Sequence, residues 1–286
     1  KKDIRGFIWL AVSLMCGTVF FVSSKYALSR IRILDFFTWW YGAGLIYHTI
    51  FAYSSGSMHC GRLARHRLGR IALYIIFDLT GTTAAFTALT MMDPGVVSFL
   101  NQSQIVFSLI LGWWFLKEVL ERAELGAAAV IITGIVVMTY QSGAAPPLGV
   151  ALMLYANLMM GANMIIVRTT GEDVGIFTFA RIRTLSLFVV FLSWNLSTTG
   201  YVPVPPLPVL AATVLGSFFG PFLNVVSIYK ALEHIPAGKL ALFRSVQPFL
   251  VMTAAAVFLG MFPGIREAVG GVIVIFFGLT LLELLH

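Results

Sequence analysis

Residues 88–134 read ALTMMDPGVVSFLNQSQIVFSLILGWWFLKEVLERAELGAAAVIITG, and residues 231–278 read ALEHIPAGKLALFRSVQPFLVMTAAAVFLGMFPGIREAVGGVIVIFFG. At an offset of 143, Ala88-Leu89 meets Ala231-Leu232, Gly95 meets Gly238, Gln104 meets Gln247 and Phe115-Leu116 meets Phe258-Leu259. One inserted residue later, Gly126 and Gly134 meet Gly270 and Gly278. Gly6 meets Gly149 at the same offset, so the duplication runs through nearly the whole chain and divides it into residues 1–143 and 144–286.

The repeated unit is apolar. Of 286 residues 59% are hydrophobic and 11% charged, where a soluble domain has roughly 45–50% and 25%; mean hydropathy is +0.91. Apolar runs fall near residues 6–24, 34–54, 70–91, 95–116, 123–141, 148–168, 174–197, 208–232, 236–261 and 267–285. Each is close to the roughly 20 residues that cross a bilayer as a helix. Asp93-Pro94-Gly95, Ala145-Pro146-Pro147, Pro203 to Pro208 and Pro236-Ala237-Gly238 punctuate the series as tight connections. The first run is read as a span, not a cleaved leader. The expected fold is an all-α integral membrane protein of ten transmembrane helices. Five is an odd number, so the second repeat enters the membrane upside down and the two five-helix repeats are inverted.

Lys and Arg are biased to one side of the alternate loops, twelve against four, which places both termini in the cytoplasm, with a bacterial inner membrane as the expected location. Net charge is +7, but the basic residues sit in short loops between spans, so nucleic acid is excluded as a partner. Cys16 and Cys60 stand alone in different settings, with no disulfide or zinc pattern. No cofactor is implied.

In the frame AL…DPG…FLKE of the first half and ALEHIPAG…QP…FLG of the second, each followed by two glycines eight apart, the chain resembles the EamA-type branch of the drug/metabolite transporter superfamily. The resemblance covers essentially the full chain. It implies ten helices in two inverted repeats, cytoplasmic termini and movement of small organic metabolites, often export of amino acids and their relatives. Family members often carry Pro in the fourth helix, where this chain has Ile105, and a small polar residue in the ninth, where it has Arg244.

Two similar halves related by an axis in the membrane plane can expose a central site to each side in turn, with the site near the midplane. Candidate substrate-binding residues are the polar ones inside the runs. Arg244, eight residues into the ninth, offers a bidentate fork for a carboxylate or phosphate. Asp78, at matching depth in the third, is its expected partner and the expected proton carrier if transport is proton-coupled. Asn101 and Gln104 in the fourth run correspond to Arg244 and Gln247 in the ninth, so both halves put polar groups at related places. Tyr155, Asn157 and Asn163 in the sixth and Asn224 in the eighth add groups that need partners away from lipid. Trp113 is a candidate for stacking on substrate. Arg181 and Arg183 read mainly as interfacial anchors. Pro221 predicts a kink near Ser217, and Gly216 with Gly220 a close helix contact inside the bundle.

The expected function is an alternating-access carrier of a small polar organic metabolite, working as a monomer or homodimer. Three arginines against one acid in the spans favour a carboxylate-bearing substrate such as an amino acid or organic acid. A cationic or nucleoside-like substrate recognised at Asp78 is the alternative. Scattered histidines, with no phosphate loop, serine elbow or filter sequence, argue against an enzyme or a channel.

Overall fold

The computed structural model describes residues 2–54, 68–117, 119, 122–139, 146–174, 176–232, 234–235, 243–244, 246–262 and 264. Among these every regular element is helical. In the first half, α1 spans Lys2–Leu28, α2 Ile33–Ser54, α3 Leu68–Met91, α4 Pro94–Leu100, α5 Ser103–Leu116 and α6 Arg122–Thr139. In the second, α7 spans Pro147–Val174, α8 Ile176–Thr199 and α9 Leu207–Ser217; a π-helical segment, Phe218–Asn224, leads into α10, Val225–Leu232, and α11 covers Gln247–Leu259.

Nine of the ten expected runs thus coincide with helix among the described residues, and the tenth, 267–285, lies outside them with Gly238, Gly270 and Gly278. Five helices are long and apolar enough to cross a membrane: Ile4–Leu28, Leu68–Met91, Pro94–Leu116, Pro147–Val167 and Leu207–Ile228. The count of ten is not reached among the described residues. α2 and α8, at 22 and 24 residues, also have the length to cross.

Packing follows the duplication. α3 lies against α7 as α1 lies against α9, the π segment and α10; α5 lies against α7 as α11 lies against α1; α2 pairs with α8, and α4 with α11. Exchanging α1 with α7, α2 with α8, α3 with α9–α10 and α4–α5 with α11 maps each of these pairs onto another, as a two-fold relation between the halves requires. The two halves even stop alike. α5 ends on Lys117 at φ 55° and α11 on Gly260 at φ 66°, with backbone bonds to Gly112 and Ala255 five residues earlier. These two left-handed residues occupy the same place in the repeat, after the matched Phe-Leu pair, and only the second half uses the glycine that takes this conformation without strain.

Aromatic rings fill the centre between α1, α2, α3 and α8. Phe37 stacks on Phe191 at 4.3 Å, and Phe36, Trp40 and Phe20 close on Phe86 at 5.2, 5.5 and 6.0 Å. α1 approaches the eighth run closely through the predicted small-residue pair: a Cβ at Gly216 would lie 2.6 Å from Ser23 Oγ, and one at Gly220 2.5 Å from Phe20. The Gly216/Gly220 contact is therefore internal to the bundle, as its sequence implies. Pro221 lacks an N–H and its ring crowds the carbonyl one turn back, and the chain answers with the wider π turn directly after Ser217.

Lys25, grouped with the loop cations by sequence, lies in the last turn of α1 and is buried. Its ammonium donates to the carbonyls of Leu89 (2.8 Å), Thr90 (3.1 Å) and Met92 (2.8 Å) at the end of α3. Helix C-termini expose unpaired carbonyls and partial negative charge, and a lysine satisfies both. Lys25→Met is expected to lower stability by about 1–3 kcal/mol, the penalty for stranding buried polar groups, read as a reduced thermal unfolding midpoint in detergent.

Candidate functional site

The fourth and ninth runs lose their regular helical ladder at the same place in the repeat. Asn101 and Gln102 take φ/ψ of −60°/−23° and −63°/−23°. The amides of Gln102, Gln104 and Ile105 bond three residues back, to Phe99 (3.0 Å), Asn101 (3.1 Å) and Gln102 (3.0 Å). In the ninth run Val246, the counterpart of Ser103, takes −74°/−19°. Its amide bonds Phe243 at 3.2 Å, and the amide of Phe249 bonds Val246 at 3.1 Å. Tight turns of this kind release carbonyls from the ladder, and away from water something else must satisfy them.

At the first break the protein supplies the partner. Asn157, fully buried on α7, donates to the Leu100 carbonyl and to Ser103 Oγ, both at 2.8 Å. This amide closes the gap between α4 and α5 from a neighbouring helix.

The breaks also face one another. Gly95 of α4 approaches Met252 of α11, and the rings of Phe99 and Phe249 meet edge to face at 5.4 Å. The register is antiparallel, so the end of α4 at Asn101 comes opposite the start of α11 at Gln247. Around this crossing are side chains with no hydrogen bond to another described residue: Asn101 and Gln104, both partly exposed, and Gln247, buried against α1 where a Cβ on Gly17 would overlap its amide. Arg244 belongs with them. Its Nε is buried without a hydrogen-bond partner among the described residues.

A second polar centre lies between α3 and α8. Asp78, whose side chain is 7% exposed, accepts a 2.7 Å bond from Arg183 Nε. The expected Asp78–Arg244 pair does not form: equal depth from sequence could not say which helices are neighbours, and it is α8 that α3 meets. With its amide oriented to satisfy both ends, Asn163 of α7 accepts from the Asp78 N–H (3.2 Å) and donates to the Tyr74 carbonyl (3.3 Å). Tyr41, Tyr74 and His48 are close enough to interact electrostatically with Arg183.

The structure thus divides the sequence-derived residues. Asp78, Asn157 and Asn163 are engaged by other parts of the chain, and Asn224 Oδ1 accepts from Ser13 Oγ at 2.7 Å, tying the π segment to α1. Asn101, Gln104, Gln247 and the Arg244 Nε are brought to the crossing with no hydrogen-bond partner among the described residues. Tyr155 and Trp113 are 42% and 56% exposed, with no ring contact or hydrogen bond to a described residue. Sequence reasoning missed Arg183 as the partner of Asp78, although its position nine residues into an apolar run was a signal. It also missed the clamp in which Asn195 of α8 donates to Asp35 (2.9 Å) and Thr38 (3.2 Å) of α2, with Arg32 completing the pair at Asp35.

These broken helices sit in a duplicated, membrane-apolar bundle. Residues 4–140 and 147–283 each match the model of the EamA-like transporter family, and the chain belongs to that family. The two matches fall on the two repeats. A solved structure titled only as the crystal structure of a protein shares the fold, with a TM-score of 0.68 over 96% of each chain at 14% identity. No curated protein matches the sequence.

Removing one partner of a buried ion pair strands the other charge at a cost of about 3–5 kcal/mol, whereas replacing both members is often neutral. Arg183→Gln is therefore expected to be strongly destabilising, and Asp78→Asn/Arg183→Gln to regain most of the loss, as measured by thermal unfolding of the purified variants.

Proposed function

We propose that the chain is an alternating-access carrier for a small polar organic metabolite bearing a carboxylate, such as an amino acid or organic acid. In this reading ten spans form two inverted repeats in a bacterial inner membrane, with both termini cytoplasmic. The observation that carries it is the pair of helix breaks at one repeat position, facing each other and lined by Asn101, Gln104, Gln247 and Arg244. Membrane carriers interrupt helices near the midplane where substrate binds, because unsatisfied backbone and side-chain polar groups are tolerable in a membrane only beside protein, water or ligand.

Arg244 supplies the charge that selects the substrate. A guanidinium whose buried Nε has no partner among the described residues has donors to present to a carboxylate. The amides of Asn101, Gln104 and Gln247 then contact the neutral polar groups of the same molecule. Asp78 is engaged by Arg183, which weighs against a cationic substrate held at Asp78 in this conformation. If transport is proton-coupled, Asp78 is the carboxyl group placed to exchange the proton.

A thermal-shift screen of the purified protein tests this. A ligand that binds only the folded state raises stability by RT ln(1 + [L]/Kd). Stabilisation is expected from amino acids or organic acids and not from nucleosides or cationic metabolites, with flux of the same compound in proteoliposomes. Arg244→Ala should weaken that binding about tenfold to hundredfold, the loss of a charge-assisted hydrogen bond worth about 1.5–3 kcal/mol. Stabilisation by cations alone would contradict the reading.

A further inference from the structure

Arg183 is held to Asp78 by one end only. The 2.7 Å contact uses Nε, and neither terminal amino group of the guanidinium bonds another described residue. The fork that normally grips a carboxylate therefore has an edge with no partner among the described residues.

Arg183 lies on the inward side of its helix. Arg183, Leu187 and Phe191 follow one another at intervals of four on α8, and Leu187 and Phe191 are fully buried, whereas Leu185 and Val189 are 48% and 50% exposed. Arg183 thus shares the buried stripe of its helix, yet its side chain keeps 23% exposure where Asp78 keeps 7%. A side chain on the buried stripe that still keeps this exposure borders open volume within the bundle and not lipid, where an arginine is costly. Tyr41 and His48 from α2, Tyr74 from α3 and Asn163 from α7 frame the pair.

We propose that the free edge of the Arg183 guanidinium is a second carboxylate-binding position, oriented by Asp78 and separate from the crossing of the fourth and ninth spans. Asp78 is a positioning residue. It fixes Nε, which turns both terminal amino groups toward the interior and leaves two parallel N–H donors for an incoming carboxylate. The proposal rests on the carrier reading above and adds to it a place for a carboxylate that does not use Arg244. Substrates with two carboxylates, or two acids bound at once, fit such an arrangement.

Arginine-directed labelling with p-hydroxyphenylglyoxal, which reacts at the terminal amino groups, tests this on the full chain in detergent, with adducts located by peptide mass mapping. Arg183 should be modified in the ligand-free protein, alongside exposed Arg5. Acetate, L-leucine, L-glutamate and succinate are the probes, with leucinamide as the carboxylate-free control. At least one acid should slow the Arg183 reaction about tenfold at ten times its Kd, the occupancy set by mass action, and leucinamide should not. The protection should persist in Arg244→Gln; its loss there would merge the two positions and overturn the proposal. An unmodified Arg183 beside a modified Arg5 would also overturn it. Acids that raise the thermal midpoint yet leave Arg183 labelling unchanged would overturn it while the carrier reading stands. No stabilisation and no protection by any acid would overturn both.

Discussion

A helix inside a bilayer cannot leave a backbone carbonyl or a charged side chain without a partner, because no bulk water is present to take over. Much of this bundle is arranged around that constraint. The Leu100 carbonyl, released where α4 gives way to α5, is met by Asn157 from α7. The last carbonyls of α3 are met by Lys25 from α1. Asp78 is met by Arg183, and Asp35 by Arg32 and Asn195. Apart from Arg32, which sits just before α2, each of these side chains leaves its own helix to satisfy another and therefore also fixes how two helices pack.

Against that background four side chains stand out: Asn101, Gln104, Gln247 and Arg244, the last through its buried Nε, have no hydrogen-bond partner among the described residues and gather where the fourth and ninth runs cross. The two breaks are not equivalent. In the first, Asn157 fills the gap; at the matching position on α1 the chain has Leu14, which offers no hydrogen bond, and the second break carries Arg244 with its buried Nε unengaged. The duplication thus supplies two similar breaks, one met by Asn157 and one whose Arg244 Nε has no partner among the described residues. Asp78 and Pro221 are likewise repeat counterparts, so the third run places its acid where the eighth places its π turn.

Much of the fold was legible in the sequence because its causes are local or periodic. Hydropathy placed the helices, Pro221 marked a kink near Ser217 where the structure has a π turn, and the spacing of Gly216 and Gly220 announced a close contact inside the bundle. The match of Asn101 and Gln104 to Arg244 and Gln247 showed polar groups at related places in the two halves, and in the structure α4 lies against α11 there. What could not be read is who stands beside whom. Asp78 and Arg183 are 105 residues apart, and only the α3–α8 contact joins them; depth alone pointed to Arg244. Lys25 looked like a loop cation because sequence does not show that α3 ends beside it. The breaks themselves were invisible as well, since Asn101 to Gln104 could equally have continued a regular helix.

The central claim is that the crossing of the fourth and ninth runs lines a compartment that water reaches from each side of the membrane in turn. Cysteine placed at Gln104, after Cys16 and Cys60 are changed to serine, tests it in proteoliposomes with a membrane-impermeant thiol reagent added to one side or the other. Labelling from both sides, in separate experiments on the same variant, is the predicted result. A Gln104→Cys thiol that reacts from neither side, while a cysteine in the loop before α3 reacts normally, would contradict the account.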